Sequence, residues 1–242
     1  WTVIGGGKLL YMAGWDPEEL PPVRAINLDG SGKRTLVEAG SEELPFELQI
    51  WSLRLSPDGQ KAVAFARETK EGVEPRSAPG FLWLVRTDGS GSKRLPPLAP
   101  ELQMKGDQAA WVSIVGWHAR KDLLILMARR TSEPGMALWT YDLATGAQKR
   151  LFAADRMGYP VVSPGGTSVM VVHKSDPSGP LEAALIEPVS GERTLVAQLE
   201  SSSSYSSGAF MGFAWNERGG DCAFFIRKDQ GVHVPVRYSL SE

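Results

Sequence analysis

Few residues in this chain have the type and spacing to do chemistry. The three histidines, His118, His173 and His233, could in principle ligate a metal or shuttle protons. They fall at three different points of the local pattern: after one strand-like run, at the end of a second and within a third. A ring of equivalent ligands needs equivalent positions, so no three-histidine metal site is expected. Asp29 and Asp88 each head an Asp-Gly-Ser-Gly run, but neither has the further carboxylates that a calcium site of six to eight oxygens requires. A tight hairpin turn of type I′ accounts for both. Gly30-Ser31-Gly32-Lys33 has a faint likeness to a phosphate loop. It lacks the spacing and the Ser or Thr after lysine, and it leads into a strand rather than a helix. No Gly-x-Ser-x-Gly elbow occurs, which speaks against an embedded serine hydrolase. Cys222 is the only cysteine and lies in the apolar run Cys222-Ala223-Phe224-Phe225-Ile226, so it reads as a buried core residue and excludes an internal disulfide. The expected catalytic, metal and cofactor sets are therefore empty, and the chain is not expected to be an enzyme.

The elements that would position any site repeat along the sequence. A strand-like run meets a glycine turn, then a basic residue, then leucine. The copies are Leu28-Asp29-Gly30 with Lys33-Arg34-Thr35-Leu36, Thr87-Asp88-Gly89 with Lys93-Arg94-Leu95, Thr145-Gly146 with Lys149-Arg150-Leu151, and Ser190-Gly191 with Arg193-Thr194-Leu195. Self-similarity on this scale marks a solenoid, array or propeller. Before each glycine turn lies a strand: Val23–Leu28, Phe81–Arg86, Ala137–Leu143 and Leu181–Val189. Upstream lies another: Lys8–Ala13, Lys61–Ala66, Leu123–Ala128, Ser168–His173 and Asp221–Arg227. A third precedes those and ends in a polar turn: Ile50–Leu55, Trp111–Trp117, Tyr159–Val162 and Ala209–Trp215. β-branched and aromatic residues bounded by Gly, Pro, Asp and Ser are the strand signal. The fourth strand starts at the basic residue and its leucine. Amphipathic helical periodicity is absent; the nearest candidate, Glu101 to Ala110, is short and holds Gly106.

The expectation is an all-β chain, a single β-propeller domain of four-stranded antiparallel blades. About five are recognisable, over residues 1–49, 50–110, 111–158, 159–208 and 209–242. The fifth lacks a turn and fourth strand after Val232–Leu240. Trp1-Thr2-Val3-Ile4 fits either that missing edge or the first strand of the first blade.

Ser56-Pro57-Asp58-Gly59-Gln60-Lys61, followed by an apolar strand and then by Thr87-Asp88-Gly89, resembles the repeat of TolB-like and related WD-like propellers. The likeness is closest in the second unit. The third has His118-Ala119-Arg120 and the fifth Asn216-Glu217-Arg218 at the corresponding turn. That turn motif specifies a fold; function has to be argued from a site.

Net charge is −2, with 22% charged residues and 42% hydrophobic ones. Such a balance gives no pull toward nucleic acid, and the longest aliphatic run, Leu123 to Ala128, is too short to cross a bilayer. The chain opens on Trp1 without a signal-peptide pattern, as expected of a mature product or an excised domain. The basic residues Lys33, Arg34, Lys93, Arg94, Lys149, Arg150 and Arg193 would form a partial belt near the short turns, where a solvated edge is the better reading than an anion site. Connections between second and third strands, and between successive units, are long and are expected on one face. That face is the expected surface for a protein or peptide partner. Its candidate binding residues are Trp15, Phe46, Arg67, Arg129, Arg130, Tyr159 and Tyr205, since aromatics and arginine dominate interface energetics. The resemblance implies a non-catalytic scaffold in the cell envelope, extracytoplasmic. The rival is the propeller portion of a larger enzyme such as a prolyl-oligopeptidase-like peptidase, with the catalytic domain outside this chain.

Overall fold

The computed structural model describes residues 2–5, 7–12, 23–37, 47–69, 80–102, 111–119, 121–129, 135–176, 179–199, 210–216, 221–227 and 233–239. Within them the chain forms twenty strands in five antiparallel sheets and one short 3₁₀ turn, Pro100–Leu102. The first sheet runs in chain order through β1 (Thr2–Gly5), β2 (Lys8–Met12), β3 (Val23–Asn27) and β4 (Arg34–Val37). The second holds β5 (Glu47–Leu55), β6 (Lys61–Thr69), β7 (Gly80–Arg86) and β8 (Ser92–Arg94). The third holds β9 (Trp111–Trp117), β10 (Leu123–Arg129), β11 (Met136–Asp142) and β12 (Gln148–Ala154). In the fourth, β13 (Arg156–Met157) and β14 (Val161–Val162) both pair with β15 (Val169–Lys174), followed by β16 (Leu181–Ile186) and β17 (Arg193–Leu199). The described strands of the fifth are β18 (Phe210–Trp215), β19 (Asp221–Arg227) and β20 (His233–Ser239).

Three local differences from the sequence reading have physical causes. Strand β1 pairs with β2, Thr2 opposite Tyr11, so the N-terminal run is the first strand of the first sheet. Strand β6 continues past Ala66 to Thr69, because β5 extends back to Glu47 and supplies partners for the polar Arg67-Glu68-Thr69 run. The inner strand expected at Tyr159–Val162 is broken. Pro160 has no N–H to give to a ladder, so the chain pairs with β15 once before it, at Arg156–Met157, and once after it, at Val161–Val162.

The chain divides into two compact units, Trp1–Ile114 with Asp142–Gln148, and Val115–Tyr141 with Lys149–Glu242. In unit one, Leu10, Val23, Ala25 and Leu36 of the first sheet meet Leu53, Ala62, Ala64, Ala66, Trp83 and Val85 of the second in one core. The small alanines of β6 let the sheets close on the larger side chains of their neighbours. In unit two, β15 is buried on both faces. Val169 and Val171 join Ile125, Met127 and Leu138 on one side, while Met170 and Val172 join Leu181, Leu185 and Cys222 on the other. An uninterrupted apolar strand is what a sheet covered on both faces demands.

Candidate functional site

In the hairpin turns the polar side chains are spent on their own backbone. In Ser56–Gly59 the Asp58 carboxylate accepts from the Ser56 hydroxyl at 2.6 Å and the Gln60 amide at 3.0 Å, while Ser56 Oγ accepts from the Lys61 amide at 2.9 Å. Asp29 accepts from the Ser31 amide and hydroxyl, Asp88 from the Ser90 amide, and Asp142 from the amides of Ala144 and Thr145, all at 2.7–2.9 Å. Glu187 does the same for Val189 and Ser190. Each of these carboxyls is held below its ordinary range. For Asp29, Asp58 and Asp88 the main cause is the hydroxyl donated by the neighbouring serine, and for Asp142 it is the Thr145 amide. Burial of Glu187 opposes the shift, and the Ser190 and Val189 donors overcome it. In the Asp-Gly turns the Gly30 amide donates to Asn27 O and the Gly89 amide to Arg86 O. Glycine therefore closes each turn from its fourth position, with φ of 85° and 78°, whereas the expected type I′ turn would place it centrally.

Four of the seven recurring basic residues are engaged within the fold. Arg34 on β4 donates to Asp88 O in the next sheet's turn at 3.1 Å. Lys149 on β12 makes the equivalent reach, donating to Val189 O at 3.2 Å and Ser190 O at 2.7 Å. Arg94 lies 4.1 Å from the Phe81 ring centroid, and Arg193 pairs with Glu182. These contacts divide the basic belt into separate joints.

Of the sequence-derived binding candidates, Arg67 is not a loop residue. It sits within β6 at 4% exposure, its guanidinium 5.7 Å from the Phe65 ring centroid. Arg129 ends β10 and is exposed. Tyr159, between β13 and β14, is 46% exposed. Arg67 lies in unit one and the other two in unit two. Trp15, Phe46, Arg130 and Tyr205 lie outside the described residues.

The three histidines fall on separate elements. His118 is buried in the turn after β9, its amide on Leu123 O, and His233 opens β20. Among the described residues no group of three metal-ligating side chains forms. Sequence reasoning missed what surrounds His173. The ring is 1% exposed on β15 opposite Glu182 of β16. Its Nε2 stands 3.5 Å from Glu182 Oε2 without a hydrogen bond, and its Nδ1 is 3.4 Å from Ser175 Oγ. Phe152 of β12 packs edge-on at 4.6 Å between ring centroids, and the Arg193 guanidinium lies 5.5 Å from the Phe152 centroid. Burial first, then the Arg193 charge, lower the His173 pKa to about 4, against the opposing pull of Glu182. The His–Glu pair follows from strand register, but Phe152 belongs to another sheet and no local pattern announces it.

No family model matches the chain, and no curated protein does. Solved structures do. An oligogalacturonate lyase in complex with manganese superposes with a TM-score of 0.66 at 10% identity, over 97% of this chain and 59% of that one. TolB from Acinetobacter baumannii gives 0.56 at 14% identity, over 99% and 51%. The β-propeller domain of the trilobed protease from Pyrococcus furiosus gives 0.60 at 12%, over 100% and 68%. The fold is a β-propeller. Its blades are the five antiparallel sheets described above, three of them four-stranded, and the repeat read from Ser56–Lys61 marks a blade turn. The chain spans between half and three-fifths of the lyase and TolB chains. Identities this low speak for architecture alone.

Proposed function

We propose that this propeller is a non-catalytic binding scaffold, extracytoplasmic, which takes a protein or peptide partner on the long-loop ends of its blades. One observation carries the reading: the turn carboxylates and two of the basic side chains at the short-turn ends are engaged by the fold. The capping carboxylates face their own amides, and Arg34 and Lys149 serve neighbouring turns. Groups so committed offer little to a ligand. The stretches 13–22, 38–46, 70–79, 103–110 and 200–209 lie outside the described residues; on the sequence reading they are the long connections of the opposite ends, where binding residues gather. Arg129 ends β10 and is exposed; Tyr159, also exposed, stands beside the middle of β15, between the Met157–His173 and Val161–Met170 pairs.

Photo-crosslinking in the source cells tests it. A crosslinking amino acid at Trp15, Arg130 or Tyr159 should capture a discrete partner, and the same group at Asp29, Asp88 or Thr145 should not. Capture only from the short-turn positions would refute the assignment.

A second reading is favoured by length. The chain matches a prolyl endopeptidase over 100% of itself and 33% of that chain, as the propeller portion of a larger enzyme would. The mass of the native gene product separates the two. A product near 26.3 kDa supports the scaffold, and a much larger one carrying a hydrolase domain supports the alternative.

A further inference from the structure

One oxygen, Glu182 Oε2, faces two cationic candidates: Arg193 Nη2, in direct contact, and His173 Nε2 at 3.5 Å. With His173 neutral, Arg193 holds the carboxylate and lies over Phe152, which also packs on the His173 ring. A proton on Nε2 would create a buried cation whose new N–H faces one acceptor, the Glu182 oxygen that Arg193 already engages, while Ser175 Oγ stands by Nδ1. The Arg193 side chain is 37% exposed and can turn to water, whereas the His173 side chain is fully enclosed.

We propose that His173 is an acid-operated switch: once protonated, its ring displaces Arg193 from Glu182 and frees the guanidinium from Phe152. The exchange loosens the contact between β12 and the edge of the fourth sheet, next to the β15–β16 connection.

The charged groups around the ring fit this exchange. Glu182 on β16 attracts its proton and Arg193 on β17 repels it, and these are the charges that act on it. Lys174 follows it on β15, and Arg156 of β13 stands opposite Lys174 in the backbone ladder. On β12 the charged residues are Lys149 and Arg150, and Lys149 is engaged with the 189 and 190 carbonyls. The sign follows from a folded pKa near 4 against an ordinary histidine value of about 6.5. The unfolded chain binds the extra proton first, so the neutral arrangement is fully stable above about pH 6.5 and weakens as pH falls toward 4.

The experiment is an NMR titration of the full chain between pH 7.5 and 3, following the His173 ring protons and the Arg193 Nε–Hε signal, with circular dichroism alongside. His173 should titrate near pH 4, and the Arg193 signal should move with the same midpoint. Arg193→Gln should raise the His173 midpoint by a unit or more, and Glu182→Gln should lower it. Arg193→Lys, which keeps the charge without the forked contact, should fall between wild type and Arg193→Gln. A flat Arg193 signal through the His173 titration would overturn the switch. So would an unchanged His173 midpoint in both the Gln variants, or loss of the whole fold before Arg193 responds.

Discussion

Gly166 and Gly89 offer the sharpest test of the packing, because their backbones match and their surroundings do not. Gly166 has φ of 67° and Gly89 of 78°, so alanine at either site enters the left-handed region. That alone costs about 1–2 kcal/mol. At Gly89 a new Cβ would meet nothing within 4 Å. At Gly166 it would stand 2.1 Å from Trp117 O, 2.5 Å from His118 Cα and 2.9 Å from Ala119 N. All three are backbone atoms, so no side chain can swing away and the two turns must part. Separation also breaks the bond from the Ala119 amide to Gly165 O, 3.0 Å long. Overpacking adds about 1–3 kcal/mol and the lost bond about 1 kcal/mol. Gly166→Ala should then cost about 3–6 kcal/mol where Gly89→Ala costs about 1–2 kcal/mol. Equilibrium urea unfolding, followed by tryptophan fluorescence and circular dichroism, measures both. A difference below about 1 kcal/mol between the variants would refute the close approach of the third and fourth sheets at this turn, since the left-handed cost is common to both.

Other expectations follow from single side chains. Lys149→Met should cost about 0.5–1 kcal/mol in the same unfolding assay, reduced by raised salt much less than a surface ion pair would be, because its acceptors are neutral carbonyls. Asp58→Ala should cost about 1 kcal/mol at pH 7 and less at pH 2.5. Its carboxyl is lowered by Ser56 and Gln60, so its contribution is present above the ordinary carboxylate pKa and fades as pH falls through the folded value. Burial, then Asp221, push the Cys222 thiol up to about 11. Iodoacetamide at pH 8 should therefore label Cys222 only at the rate the fifth sheet opens, and labelling as fast as a free thiol would contradict its burial against Met170 and Leu185.

Much of the fold was legible because each blade turn is written in local chemistry. Trp111–Trp117 and Asp221–Arg227 begin and end where the alternation and flanking polar residues say they should. Ser163-Pro164-Gly165-Gly166 closes as Ser56–Gly59 does, Ser163 Oγ accepting the Ser168 amide. What failed to show was decided by partners distant in sequence. Arg67 reads as the start of a loop, yet Gln49 and Gly80 flank it in the sheet and Phe65 shares its burial. Gly166 reads as a turn glycine, and its nearness to the Trp117 backbone appears only when two sheets stack. The His173 surroundings combine β12, β15, β16 and β17, and only the β15–β16 pair is local enough to infer.

The reach of Arg34 and Lys149 bears on how such a chain can grow. In each case the donor sits on the last strand of one repeat and the acceptor carbonyls sit in the third-to-fourth-strand turn of the following repeat. A duplicated segment thus inherits both halves of a joint, the arm on its trailing strand and the socket in its hairpin. At these two seams, first to second sheet and third to fourth, a copy carrying both halves docks behind its neighbour without new residues being selected. Stability then accumulates by neighbour-to-neighbour coupling, as in linear repeat proteins. Gene duplication can then change the number of blades while the joints between neighbours are kept.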